Sequence, residues 1–133
     1  MSIFHDQAMM MEAFEQSLGF DYEQASMYET LVEEETKELQ EAMNTLHNHW
    51  AEHGRIKTGH LVDVADGIID SIVVLSGLGI SLGLPMDKLW AEVFRSNMSK
   101  CGTDGKIHRR EDGKVLKGPH YSPPNLGAII GDY

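Results

Sequence analysis

Apolar positions along the chain recur at helical spacing and rarely alternate. Met11, Phe14 and Leu18 follow i, i+3, i+7 and predict a first helix over about His5–Leu18, with Gly19 as its terminator. Asp21 followed by Gln24 reads as a capping box opening a long second helix. Its stripe is Met27, Leu31, Leu39, Met43, Leu46 and Trp50, fading near His53–Gly54. After the polar loop "EHGRIKTGH", Thr58 can cap a third helix over about Gly59–Leu82, the most apolar of the set. Pro85 suits the start of a fourth, which puts Met86, Leu89, Trp90, Val93 and Phe94 on one face. Beyond Lys100 the pattern changes. Asp104–Gly105 and Asp112–Gly113 are turn signals, "KIHRREDGKVLKG" reads as a small hairpin, and "SPPNL" as an extended tail.

The fold class predicted is all-α. About four helices form a bundle, alone or completed by dimerisation through the long second and third helices, with a short C-terminal β-hairpin and irregular tail. With 133 residues the chain suits one domain over 1–133, with the first helix in 1–20 and the hairpin and tail in 102–133. The stretch Ile68–Leu84 is too short, too rich in Gly and Ser, and interrupted by Asp70, so it reads as a core helix rather than a membrane span.

Charge narrows the function. Lys and Arg total 11 against 21 Asp and Glu, a formal net charge of −10. That balance argues against nucleic-acid or membrane-surface binding. The single cysteine, Cys101, excludes an internal disulfide and fits a reducing, cytoplasmic setting. The N-terminus carries acids and no basic region, which makes it a poor signal peptide.

The acids are not spread evenly. "LVEEETKELQEA" (Leu31–Ala42) holds five glutamates. At about 100° per residue, Leu31, Glu35, Glu38 and Ala42 share a face, and Glu34 lies one turn from Glu38. Glu33 and Glu41 point elsewhere, toward solvent. On the third helix Asp63, Asp66 and Asp70 follow i, i+3, i+7 among Ile68, Ile69, Ile72, Val73 and Leu75. If the two helices pack antiparallel, the two acidic stripes meet. Facing carboxylates repel strongly without a cation, and oxygen ligands suit a hard divalent ion, Mg²⁺ first. A carboxylate left free beside it could serve as general base for water.

These residues carry a family resemblance. "EETKE" (Glu34, Glu35, Glu38) matches the EExxE motif of MazG-like all-α nucleoside triphosphate pyrophosphohydrolases. "DVAD" (Asp63, Asp66) resembles their second motif, with Asp63 where a Glu is usual. "EVFRSNMSK" (Glu92–Lys100) and the tail "DGKIHRREDGKVLKGPHYSPPNL" resemble the phosphoribosyl-ATP pyrophosphohydrolase-like branch. The resemblance implies a homodimer or homotetramer, and Mg²⁺ as cofactor with Mn²⁺ as substitute. It also implies cleavage of a nucleotide between its α and β phosphates. By position, Glu34, Glu35, Glu38, Asp63 and Asp66 correspond to metal-site acids. Asn97 and Lys100 correspond to phosphate or nucleotide contacts. Glu35 and Glu38 are the candidate catalytic pair, with Glu35 as base. Asp70 continues the stripe as a further ligand, an acceptor behind the ligands, or a contact to the sugar. Arg95, Arg109, Arg110, Lys114 and Lys117 are the one basic concentration, and Arg95 and Lys114 are taken as substrate contacts.

The expected activity is house-cleaning of a (deoxy)nucleoside triphosphate such as dUTP or dCTP. Phosphoribosyl-ATP is the alternative substrate, and a non-catalytic helical interaction module the alternative of another class. A di-iron bundle would need Glu-x-x-His pairs, and the chain has none. His47, His49, His53 and His60 lack a fixed ligand spacing and are read as solvated loop histidines. Both tryptophans are read as core.

Overall fold

The computed structural model describes residues 2–102 and 104–131. Met1, Thr103, Asp132 and Tyr133, which fall within the predicted N-terminal and tail regions, lie outside the described residues. Five helices and one hairpin are formed among the described residues: α1 (Ile3–Ala13), α2 (Tyr22–His53), α3 (Thr58–Ser81), α4 (Met86–Met98), β1 (His108–Arg109), β2 (Val115–Leu116) and α5 (Leu126–Ile130). The fold is therefore all-α with a small antiparallel appendage. The chain divides into two compact units, residues 1–84 and 85–133.

In the first unit, α1 is capped by the Ser2 hydroxyl, which accepts from the His5 N–H. It ends at Ala13, short of the predicted Leu18. The chain turns at Glu15, which takes a positive φ of 58°, and the Gln16 N–H closes back on the Met11 carbonyl. Ser17 then joins a polar knot instead of a helix. Its hydroxyl donates to Asp21, and its N–H donates to the Gln24 side chain. The Gln24 amide in turn donates to the Ser17 carbonyl and to the Ser81 hydroxyl at the far end of α3. The capping box is thus half formed. Asp21 accepts from the Gln24 N–H, but the Gln24 side chain serves the knot.

The long helix α2 ends as predicted, with Gly54 in the left-handed conformation at φ 66°. The third helix starts one residue early: Lys57 is its N-cap, with no side-chain capping bond, and Thr58 is already helical. Helices α2 and α3 run antiparallel. A Cβ on Gly67 would lie 3.0 Å from the Leu39 Cα, and one on Gly77 would sit 2.5 Å from Cζ of Tyr28. Two glycines therefore set the spacing of the pair. Tyr28 is 5% exposed and its hydroxyl donates to Gln16.

Burial departs from the predicted stripe. Among the described residues the buried apolar ones are Met11, Ala25, Tyr28, Val64, Val74 and Ile80. Trp50 and Met27 of α2 are exposed, as are Leu61, Val62, Ile68, Ile69, Ile72 and Leu75 along α3. An open groove of about 250 Å³ runs between α1 and this face of α3, lined by Ile3, Met10, Ile69, Ile72 and Val73, with Asp6, Gln7 and Ser76. No single helix is long and apolar enough to cross a membrane among the described residues.

In the second unit, the predicted hairpin forms with His108 opposite Leu116 and Arg109 opposite Val115. Gly118 comes so close to the chain at Lys100 and Cys101 that a Cβ would collide with both carbonyls. Its N–H donates to the Lys100 carbonyl. The tail is not extended throughout. The Asn125 side chain caps the short α5, and Glu92 of α4 accepts from the Asn125 N–H at 2.7 Å.

Candidate carboxylate site

The glycine contacts fix the register of α2 against α3. Between Leu39–Gly67 and Tyr28–Gly77, Glu35 and Glu38 come opposite the stretch Asp66–Ser71. Four acids meet there electrostatically. Burial, then the charges of Glu38, Asp70 and Asp66, push the Glu35 carboxyl above the usual carboxylate range. Glu35 is half-buried, and its Oε2 is enclosed with no hydrogen-bond partner. An enclosed carboxylate oxygen without a donor is costly unless something supplies positive charge or a proton.

The predicted residues divide accordingly. Glu35, Glu38, Asp66 and Asp70 come together. Asp70 enters this group as a third charge on Glu35, which its place outside the EExxE and DVAD motifs did not require. Glu34 and Asp63 are exposed and are not among the charges acting on Glu35. Glu33 and Glu41 are exposed, as predicted.

Sequence reasoning missed Ser71. It is 6% exposed, directly follows Asp70, and its hydroxyl has no partner. Glu35 and Ser71 thus give the α2–α3 interface two enclosed, unpartnered oxygens. A signal existed, since a serine among Ile69, Ile72 and Val73 is out of place in an apolar helix, but nothing local said which neighbour it meets.

As donors, these are carboxylate oxygens, the chemistry that Mg²⁺ prefers. As placed, no group of three or more His, Cys, Asp or Glu side chains among the described residues is arranged to hold a metal ion. The donors match the ion in kind and charge, and gathering them around it requires side-chain rotation.

The proposed cationic contacts lie in the second unit, and several already have internal partners. Arg95 makes a two-pronged pair with Glu92, at 2.7 and 3.0 Å, and reaches the Pro123 carbonyl. Arg110 pairs with Asp112 at 2.6 Å, and Arg109 donates to the Gly113 carbonyl. Lys117 lies over the Tyr121 ring. These side chains brace α4, the hairpin and the tail. Lys114 is exposed beside the turn, and Asn97 lines a small hollow of about 110 Å³ with Trp90, Val93 and Phe94. Trp90 is 64% exposed, against the expectation of a core tryptophan. Lys100 is half-buried at the tail's docking point.

The histidines also differ from expectation. His47 and His53 are exposed, but His49 and His60 are half-buried and in contact.

The mostly helical chain thus brings Glu35, Glu38, Asp66 and Asp70 into one another's field between two antiparallel helices. The chain is a nucleotide pyrophosphohydrolase of the MazG-like all-α superfamily. It belongs to the phosphoribosyl-ATP pyrophosphohydrolase family, whose model matches residues 6–97. That span takes in both acidic stripes and ends at Asn97, so Lys100 and the hairpin lie beyond it. No curated protein matches the chain.

Proposed function

We propose that the protein hydrolyses a (deoxy)nucleoside triphosphate between its α and β phosphates, releasing the monophosphate and pyrophosphate in a Mg²⁺-dependent reaction. One observation carries this reading: Glu35, with an enclosed, unpartnered oxygen, sits within the field of Glu38, Asp66 and Asp70. Four carboxylates held at one place have no stabilising purpose of their own. Glu35, Glu38 and Asp66 would hold the ion, with Glu34, Asp63 and Asp70 as further oxygen donors and Mn²⁺ as a substitute. When bound, the ion supplies Lewis-acid polarisation of the phosphoryl oxygens and acidifies water.

The chain's own residues do the rest. Burial and neighbouring charge raise the proton affinity of Glu35, which suits it to accept a proton from water. Asn97 in the last turn of α4 and Lys100 just past its C-cap carry an amide and an ammonium that suit phosphate oxygens. The Arg95 pairing with Glu92 leaves it a bracing role first.

A second copy suits the exposed apolar row Leu61, Val62, Ile68, Ile69, Ile72 and Leu75. So much apolar surface along one helix is more than an isolated chain leaves to water. A homodimer, or a tetramer built from it, would bury that row.

The family match favours phosphoribosyl-ATP as a second candidate substrate. A panel containing dUTP, dCTP, the other triphosphates and phosphoribosyl-ATP, assayed for pyrophosphate with and without Mg²⁺, decides between them. Absence of release from every nucleotide, together with no thermal shift on adding Mg²⁺, would refute the enzymatic reading and leave a non-catalytic helical module.

A further inference from the structure

Away from the carboxylates, the α2–α3 turn gathers three imidazoles. His49 and His53 lie four residues apart on α2, and His60 sits in the first turn of α3. The His49 ring centroid is 4.4 Å from that of His53, tilted by 42°, and 4.9 Å from that of His60, edge-on at 71°. His49 Nε2 and His60 Nδ1 are enclosed and have no hydrogen-bond partner. As placed, the three rings do not form a metal cage.

The surrounding charge is mostly positive. Arg55 and Lys57, in the turn itself, act on His49 together with His53 and His60. Glu52 of α2 lies 3.7 Å from His53 Nε2, on the exposed side. The nearest acid along α3 is Asp63, one turn beyond His60 and exposed.

We propose that His49, His53 and His60 form a proton-operated clasp, shut when the rings are neutral and released when they are charged. Neutral imidazoles pack edge and face as apolar bodies: His49 and His60 join the two helix ends, and His53 backs His49 from within α2. Charged rings under 5 Å apart, beside Arg55 and Lys57, repel across that same contact. Enclosure adds to this, because a charged His49 ring wants water that its Nε2 does not reach.

The direction with pH follows from linkage. Burial first, and then the charges of His53, His60, Lys57 and Arg55, hold the His49 pKa below its ordinary value. The opened turn, with an ordinary pKa of about 6.5, therefore takes up the proton before the closed one. The clasp is intact above about pH 6.5 and weakens as the pH falls below it.

The test is amide hydrogen exchange by NMR on the full-length protein between pH 5 and 8, corrected for intrinsic exchange rates. The reporter is the Gly54 N–H, bonded to the Trp50 carbonyl at 2.8 Å. The control is the Gly83 N–H, bonded to Ile80 at the other end of α3. Below pH 6.5 the open fraction at Gly54 should rise by up to about tenfold per pH unit for each proton taken up. Gly83 should not follow. In His49→Gln the rise should disappear or shrink, and His60→Gln offers the same reading if the first variant folds poorly. A pH-independent Gly54, or a full acid response retained in both variants, would overturn the proposal.

Discussion

The spacing of α2 and α3 rests on Gly77, and replacing it gives the sharpest test of the fold. An alanine Cβ at this position would lie 2.5 Å from Cζ and 2.6 Å from Cδ1 of Tyr28. Carbon atoms prefer about 3.5–4.0 Å, so the helices or the ring must shift by about 1 Å. The ring has little freedom, being buried and bonded through its hydroxyl to Gln16. Overpacking costs roughly 1–3 kcal/mol, and contact with the body of a held ring belongs at the upper end. The gain in helix propensity from Gly to Ala returns up to about 1 kcal/mol. Gly77→Ala should therefore lose about 2 kcal/mol. Gly59→Ala is the control, since a Cβ there meets nothing within 4 Å. It should be neutral or stabilising by up to about 1 kcal/mol. Chemical denaturation followed by circular dichroism, at one fixed protein concentration, measures both. Adding Tyr28→Leu to Gly77→Ala should recover part of the loss, giving a non-additive cycle. Equal stability of the two alanine variants would refute the argument that Gly77 sets the helix spacing.

The site and the second unit offer further tests. Glu38→Gln should abolish Mg²⁺-dependent pyrophosphate release while leaving the circular dichroism spectrum unchanged; retained activity would remove Glu38 from the site. Glu35 has a raised folded-state pKa, so its ionised form opposes folding at neutral pH. Glu35→Gln should therefore raise the melting temperature of the metal-free protein at pH 7 and lose the thermal shift produced by Mg²⁺. That advantage should fade as the pH falls and Glu35 takes up its proton. Glu92 behaves in the opposite sense: Arg95 first, then the Asn125 N–H, holds its pKa down at about 2. Its bracing is present above the unfolded value of about 4.3 and is lost as the pH falls toward 2. The open fraction at the Asn125 amide, taken from exchange corrected for the intrinsic rate, should rise with acid across that window. Ile69→Lys, on the exposed face of α3, should shift a dimer toward monomer in light scattering.

Where the predicted elements came out well, the signal was local. Gly54 ends α2 because a left-handed residue was needed there, and the Asp112–Gly113 turn closes the hairpin. The convergence of Glu35, Glu38 and Asp66 followed from helical spacing and one assumption, antiparallel packing. What was misread depended on partners distant in the chain. The first helix stops at Ala13 because Ser17 bonds with Gln24, whose side chain also reaches Ser81, 57 residues further on. Asn125 was read as tail because its role as a cap depends on Glu92. Apolar periodicity marks a face of α3 without saying whether the chain itself or a second copy covers it, so Ile69 and Ile72 read as core. Arg95 looked available to a substrate because one sequence does not show that Glu92 turns back onto it.

The polar knot at Ser17, Asp21, Gln24 and Ser81 has a mechanical consequence. One end of the α2–α3 pair is riveted by directional bonds, including the Asp21 N–H to the Ser81 carbonyl at 2.8 Å. The opposite end is joined by the chain itself, through the short turn between His53 and Thr58, with the His49–His60 ring contact beside it. The pair is thus fastened at both ends, by directional bonds at one and covalently at the other. Glu35, Glu38, Asp66 and Asp70 lie between those two fastenings. Fraying at either end therefore reaches the place where Glu35 faces Asp70 only in part.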